Sequence, residues 1–285
     1  MLHNKGYNLK ISKFIQLGNS LIQLCNAINV GIETKSKVTM PVFGTCSDAF
    51  DMLKDVPDFD FKQISYQEDS ACNEELESKF FFKEEAFDYT LTNDQRRELL
   101  QKYIYPHLKL TDVENITDKT LVIHIRSGDI FGGWIHKDYV QPPLSFYKKI
   151  ITETNSSDIL IVTQKDKTNP CIDGLLSWNP NIRLQTGSLR EDVSTILKAR
   201  KLVIGFGSFG WMLSLMSDNI RSLFCPISVH DLISSSFDTS PFSIKRYTFD
   251  RYIERGNWQC TEDQKELMLT YSENRIGETN VNEYS

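Results

Sequence analysis

The chain has 285 residues, 40% of them hydrophobic and 25% charged, with 32 Lys+Arg against 38 Asp+Glu and a net charge of -6. That length supplies apolar side chains for one large α/β domain or two modest ones, and the acidic balance excludes a nucleic-acid binder working through a basic face. No run approaches the roughly 18 apolar residues of a membrane helix, and Met1-Leu2-His3-Asn4-Lys5 leads into a mixed polar stretch without a secretory apolar core.

In chain order, Leu9 to Ile15 reads as a strand and Ser20 to about Ile28 as a helix, with Leu21, Leu24, Cys25 and Ile28 on one face. Val38-Thr39-Met40-Pro41-Val42 suggests a second strand. Residues 44–90 are acidic, aromatic and irregular. Asn93 to Leu108 reads as a helix capped by Thr92 or Asn93, and residues 109–118 as a linker. Leu121-Val122-Ile123-His124-Ile125 is nearly continuous apolar sequence, as a parallel strand buried on both faces requires. Pro142-Pro143 opens a helix from Leu144 to about Thr154. A strand at Asp158 to Thr163, a short segment at Ile172 to Trp178 and a weak strand near Ile182 to Leu184 follow. Ser188-Leu189-Arg190-Glu191 has capping-box spacing before a helix of about ten residues. Lys201 to Gly205 is a strand, Phe209 to Ser217 a helix and Arg221 to Cys225 a fifth strand, while the tail after Tyr271 reads as polar and frayed. Alternating strand and helix predict an α/β fold with a doubly wound parallel sheet in the second half.

The six cysteines (Cys25, Cys46, Cys72, Cys171, Cys225, Cys260) show no C-x-x-C spacing, and Cys25 and Cys225 lie in apolar stretches, as buried thiols do. The sequons at Asn115 and Asn155 matter only in a secreted chain, so a reduced, cytoplasmic protein is expected.

Three segments carry residue types suited to an anionic ligand. His124-Ile125-Arg126-Ser127-Gly128-Asp129 lies where a buried strand ends, and open α/β sheets bind ligands beyond their strand ends. A guanidinium there can grip two diphosphate oxygens, and Gly128 allows close backbone approach or a positive φ; the plain alternative is an arginine paired with Asp129 in a turn. Gly205-Phe206-Gly207-Ser208-Phe209-Gly210-Trp211 is a strand-to-helix turn with Ser208 placed as cap, and a helix N-terminus suits phosphate. A simple capped turn accounts for it equally. Near the N-terminus, Leu17-Gly18-Asn19-Ser20 reads as a β–α turn capped by Asn19 or Ser20, or as a loop facing a substrate. Asp192, sixteen residues before Ser208, falls in a first helical turn, where acidic residues are favoured on dipole grounds alone.

Taken together, residues 9 to about 226 resemble the α-1,2-fucosyltransferase family and its wider relatives, the α-1,6- and protein O-fucosyltransferases. The residues that carry the likeness are Gln16-Leu17-Gly18-Asn19-Ser20-Leu21-Ile22-Gln23, then His124 to Asp129 against the family's His-x-Arg-Arg-Gly-Asp, then Gly207-Ser208-Phe209-Gly210-Trp211. The resemblance implies a GT-B-like fold: two Rossmann-like domains across a cleft, 1–115 on the acceptor side and 116–285 holding the donor, with a helical tail. It implies transfer of a sugar, fucose from GDP-fucose, to a glycan hydroxyl, with a nucleotide sugar as co-substrate and no other cofactor. Arg126 then binds the diphosphate, supported by His124 and Gly128. Gly207, Ser208 and Phe209 meet a phosphate or the guanosine, Asp192 contacts the nucleotide, and Gly18 and Asn19 line the cleft. Ser127 stands where the family has a second arginine, and Gly207 where it has a serine. These departures keep open another nucleotide sugar, such as GDP-mannose, or a non-catalytic module that binds nucleotide sugars or glycans.

An inverting transfer also needs a base for the acceptor hydroxyl. Asp129, His136 and Asp138 follow the arginine strand; Asp129 and Asp138 are the candidates, and the position aligned with the relatives' carboxylate falls near Trp134. Asp58-Phe59-Asp60 is formally a D-x-D, but it follows Val56-Pro57 in an irregular acidic stretch and is read as chance, so no metal is expected. Neither a zinc spacing nor a G-x-S-x-G nucleophile turn occurs.

Overall fold

In the computed structural model, which describes residues 6–62, 75–80, 90–113, 116–132, 135–227 and 241–280, the chain divides into two units between Lys109 and Leu110. Cys72, Asn115 and Trp134 lie outside the described residues.

The first unit is built on four strands among its described residues: β1 (Asn8–Ile11), β2 (Lys37–Thr39), β3 (Phe59–Asp60) and β4 (Glu75–Ser78). Their order is β3-β2-β1-β4, with β1 parallel to β2 and β4 and β3 antiparallel at the edge. Helix α1 (Leu17–Thr34) starts three residues earlier than expected and runs further, ending on Lys35 in the left-handed conformation. It is buried on more than one side, so polar residues need partners: Gln23 Nε2 donates to Lys79 O at 2.6 Å and Asn26 Nδ2 to Phe80 O at 2.8 Å. Gly18 and Asn19 therefore lie in the first turn of a helix, not in a loop. The N-cap is Gln16, without a side-chain bond, and the Ser20 hydroxyl instead accepts from Ile15 N at 2.9 Å.

Helix α2 (Ser47–Leu53) follows β2. Helix α3 (Asn93–Leu99), capped by Thr92, is shorter than the predicted 93–108, because the chain passes into a π turn at Leu100–Ile104 and a 3₁₀ turn at Tyr105–His107. Pro106 has no N–H to continue the ladder.

In the second unit the strands are β5 (Thr120–His124), β6 (Asp158–Val162), β7 (Arg183–Gln185), β8 (Lys201–Ile204), β9 (Ser222–Pro226), β10 (Ser243–Phe249) and β11 (Ile276–Asn280). They form a seven-stranded sheet in the order β11-β10-β9-β8-β5-β6-β7, parallel except for β10–β11. The helices are α4 (Leu144–Thr154), α5 (Pro170–Trp178), α6 (Leu189–Lys198), α7 (Ser208–Met216) and α8 (Glu262–Thr270). Helices α4, α5 and α8 pack together, and α6 packs with α7. This is a doubly wound α/β sheet. The chain leaves β5 towards β6 and β7, then crosses to β8, β9 and β10 on the other side, so the order reverses between β5 and β8. Leu121, Ile123, Phe146, Tyr147, Ile150 and Ile161 are fully buried in its core, each worth about 1.5–3 kcal/mol in transfer terms.

The described part of the tail is not frayed: Ile276–Asn280 adds an antiparallel edge strand to β10. Both strands are too polar to read as strands by apolar pattern, and charge pairing holds them instead. Lys149 Nζ lies 2.7 Å from Glu153 and 2.8 Å from Glu278, while Lys245 bridges the same two carboxylates and the Tyr247 hydroxyl donates to Glu153 at 3.0 Å. Burial opposes ionisation of Glu153, but hydrogen bonds from Lys149 and Lys245 hold its pKa at about 2.

Deleting residues 276–285 is expected to cost about 2 kcal/mol or more, a fall of about 4–8 °C in the melting temperature for a unit of this size. Thermal unfolding measures it, and an unchanged Tm would show that β11 contributes nothing.

Candidate functional site

The reversal point between β5 and β8 places two chain segments side by side beyond the strand ends, the position at which open α/β sheets offer a crevice. From β5 comes Ile125, whose N–H continues the ladder to Val162 O at 3.0 Å, then Arg126. Ser127 turns inward. It is fully buried, its hydroxyl lies 3.1 Å from Thr168 Oγ1 and accepts from Asn169 N at 3.1 Å, and Asn169 Nδ2 donates to Arg126 O at 3.0 Å. An arginine at 127 would have to bury its charge here. The serine in place of the family's second arginine thus ties the crevice wall to the loop before α5. Gly128 has φ +73°, as expected for a glycine at this turn, and its N–H donates to Thr168 Oγ1 at 2.8 Å.

The Arg126 guanidinium is held on three sides. Nη2 donates to Asp129 Oδ1 at 3.2 Å and Oδ2 at 3.0 Å. Its Cζ lies 4.2 Å from the centre of the Tyr139 ring, a cation–π contact. On the third side is Gly207, where a Cβ would stand 3.3 Å from Arg126 Nη1. Gly207 has φ +142° and is the N-cap of α7, so Ser208 is the first helical residue and not the cap that the sequence suggested. The amino end of α7, with its positive dipole end, therefore begins beside the arginine. His124 meets Phe209 with ring centres 5.0 Å apart. Burial first, and the Arg126 charge second, lower the His124 pKa to about 4, so at neutral pH its ring is uncharged.

Asp192 lies on the first turn of α6, above the capping box of Ser188 and Glu191. Its Oδ1 accepts from Gln185 Nε2 at 2.8 Å. Burial raises its pKa to about 7 despite that hydrogen bond, and the neighbouring Glu191 charge adds to the rise. Asp138 is one residue from Tyr139; its Oδ2 is 3.9 Å from His136 Nδ1 and its side chain lines an open cavity. Gly18 and Asn19 belong to the first unit. Asp58 and Asp60 are occupied locally: Asp58 accepts from Met40 N at 2.8 Å and faces Lys37 at 3.3 Å, and Asp60 accepts from Lys62 N at 2.9 Å. Among the described residues no group of three or more His, Cys, Asp or Glu side chains converges as a metal site.

The structure thus brings His124, Arg126, Gly128, Asp129, Gly207, Ser208 and Phe209 together at the β5/β8 strand ends within the second unit. To these it adds Tyr139, which pattern reading missed because the segment 135–141 forms neither helix nor strand.

The chain is similar in course to two solved structures of TibC. One is described as a bacterial iron-containing dodecameric glycosyltransferase from enterotoxigenic E. coli H10407, at 13% identity over 96% of this chain and 74% of that one, TM-score 0.46. The other is described as a dodecameric iron-containing heptosyltransferase in complex with ADP-D-beta-D-heptose, at 14% identity with the same coverage, TM-score 0.49. No protein-family model and no curated protein sequence matches the chain. Likeness at this level leaves the chemistry to the site itself.

Asp192 gives a pH signature with a definite sign. An unfolded aspartate titrates near 3.9, whereas the folded one titrates at about 7. Between about pH 4 and pH 7 the native state keeps a proton that the unfolded chain has lost, so this residue makes stability fall as pH rises across that window. Asp192→Asn, whose amide oxygen can still accept from Gln185, is expected to melt above the wild type by several degrees at pH 8 and close to it at pH 4.5. Melting curves at the two pH values decide it; an equal difference at both would refute the buried-carboxyl account.

Proposed function

We propose that this chain is a glycosyltransferase that takes a sugar from a nucleoside diphosphate donor, with GDP-fucose as the donor and a glycan hydroxyl as the acceptor. The single observation that carries the reading is the position of Arg126: a partly exposed guanidinium at the β5/β8 reversal, beside the amino end of α7. A departing diphosphate needs positive charge aimed at its oxygens, and a planar fork plus a helix N-terminus supplies it in the form that phosphate binds best. The chemistry that follows needs no divalent ion to balance that charge. The motif resemblance supports fucose as the sugar.

On this reading Asp129 and Asp138 have different roles. Both oxygens of Asp129 are engaged by Arg126, so Asp129 positions the arginine. Asp138 is the proposed base, taking the acceptor proton as the hydroxyl attacks the anomeric carbon with inversion. His124, uncharged at neutral pH, packs under Phe209 and supports the arginine. Asp192, at the α6 amino end, contacts the nucleoside part, and Gly207, Ser208 and Phe209 surround a phosphate. The first unit, with Gly18 and Asn19, supplies the acceptor side.

A thermal-shift screen against GDP, GDP-fucose, GDP-mannose, UDP-sugars and ADP-heptose, with and without manganese, tests the reading. GDP and GDP-fucose are expected to stabilise the protein without metal, and Arg126→Ala to abolish the shift. Asp138→Asn should keep GDP binding and lose turnover at least about 100-fold, the usual scale of a lost general base. Asp129→Asn should weaken donor binding and turnover together. A response confined to UDP-sugars with manganese would sink the fucosyltransferase assignment. Donor binding with neither transfer nor donor hydrolysis would make the chain a binding module.

A further inference from the structure

The described part of the second unit holds a cavity of about 150 Å³ on the other side of the segment that stacks on Arg126. Phe206, Phe249 and Tyr252 form its aromatic walls, with Gln141 in its lining and Asp138 and Arg255 supplying charge. A space of this volume holds one six-membered ring.

The walls are fixed before any ligand arrives. Gln141, fully buried, donates from Nε2 to Tyr139 O and Phe206 O, each at 3.3 Å, and its own carbonyl accepts from the Tyr252 hydroxyl at 3.0 Å. The segment carrying Arg255 is pinned to the opposite one, because Gly256 N and Trp258 N both donate to Lys137 O, at 3.1 and 3.0 Å. The Arg255 guanidinium lies 5.6 Å from the Phe206 ring centre.

The cavity adjoins the arginine site across one ring: Tyr139 lies 4.2 Å from Arg126 Cζ and 5.6 Å, tilted, from the centre of the Phe206 ring that lines the cavity. Phe206 precedes Gly207, which touches Arg126.

Two features choose the ligand class. Aromatic walls favour a flat apolar face, which a pyranose presents through its C–H groups. A carboxylate and a guanidinium on the same lining would be costly to desolvate against a purely apolar ring, but they match the hydroxyls of a sugar, Asp138 accepting and Arg255 donating. We infer that this cavity binds one pyranose ring, with Phe206 and Tyr252 against its face and Asp138, Arg255 and Gln141 reading its hydroxyls. The inference rests on the proposed function in taking that ring to belong to the donor or to the acceptor.

Saturation-transfer NMR with methyl fucoside, methyl mannoside and methyl glucoside tests the cavity without any nucleotide. Ring-proton signals are expected for at least one pyranoside with the wild type, and Arg255→Ala and Asp138→Asn, each checked for an unchanged melting curve, should reduce them at least fivefold. No transfer to any of the three, or equal transfer in both variants, would overturn the inference. Titration calorimetry then separates the sources. For a donor ring, Arg255→Ala weakens GDP-fucose about tenfold and leaves GDP unchanged; for an acceptor ring, donor affinities stay fixed and the acceptor KM rises. Wild-type protein that binds pyranosides but not GDP would sink the donor reading and keep the cavity assignment.

Discussion

A guanidinium at the mouth of a parallel sheet must be kept charged, aimed and partly dry, and much of the second unit is arranged around meeting that demand at Arg126. Its backbone is fixed by the β5 ladder and by Asn169, its charge by Asp129, and its plane by the Tyr139 ring. Gly207 leaves room for it, because a side chain there would press on Nη1. Remove any of these and the arginine loses its direction, which the proposed diphosphate site depends on.

The same constraint explains the long reach of the sequence in this unit. Tyr139 is held by Gln141, Gln141 by Tyr252, and the Tyr252 region by the strand pair β10–β11 and the Trp258 ring, whose Nε1 donates to Ile130 O at 3.0 Å. Residues 241–280 are therefore not an appendage: the ion cluster of Lys149, Glu153, Lys245 and Glu278 fastens them to α4.

These dependencies mark what was legible in the sequence and what was not. Apolar runs such as Leu121 to Ile125 and the helix from Leu144 to Thr154 were readable because burial alone determines them. The Ser188–Glu191 capping box was readable because it is a purely local exchange of hydrogen bonds. By contrast, Ser208 looked like a cap, yet the N-cap went to Gly207, since the chain has to pass Arg126 with a backbone that only glycine adopts easily. Strands β10 and β11 were invisible because their polar residues are satisfied by partners on α4, more than ninety positions away in sequence. Tyr139 was missed for the same reason: its partner is set by tertiary packing and not by spacing. Ser127 is the instructive case. Read as a lost arginine it weakened the likeness, whereas its burial shows a position that organises the loop before α5.

The pairing of Arg126 with Asp129 bears directly on how the proposed donor binds. An incoming diphosphate does not meet a bare cation; it competes with a carboxylate already bound through both oxygens. Exchange replaces one anion by another, so the net electrostatic gain is smaller than a free arginine would give. On the proposed reading the amino end of α7 beside Gly207 tips the balance through its positive dipole end. On that reading Asp129 sets affinity by occupying Arg126 when the donor is absent and by limiting its swing when the donor is present. A residue with that proposed double role has to be acidic and short, which fits a carboxylate three positions after the arginine.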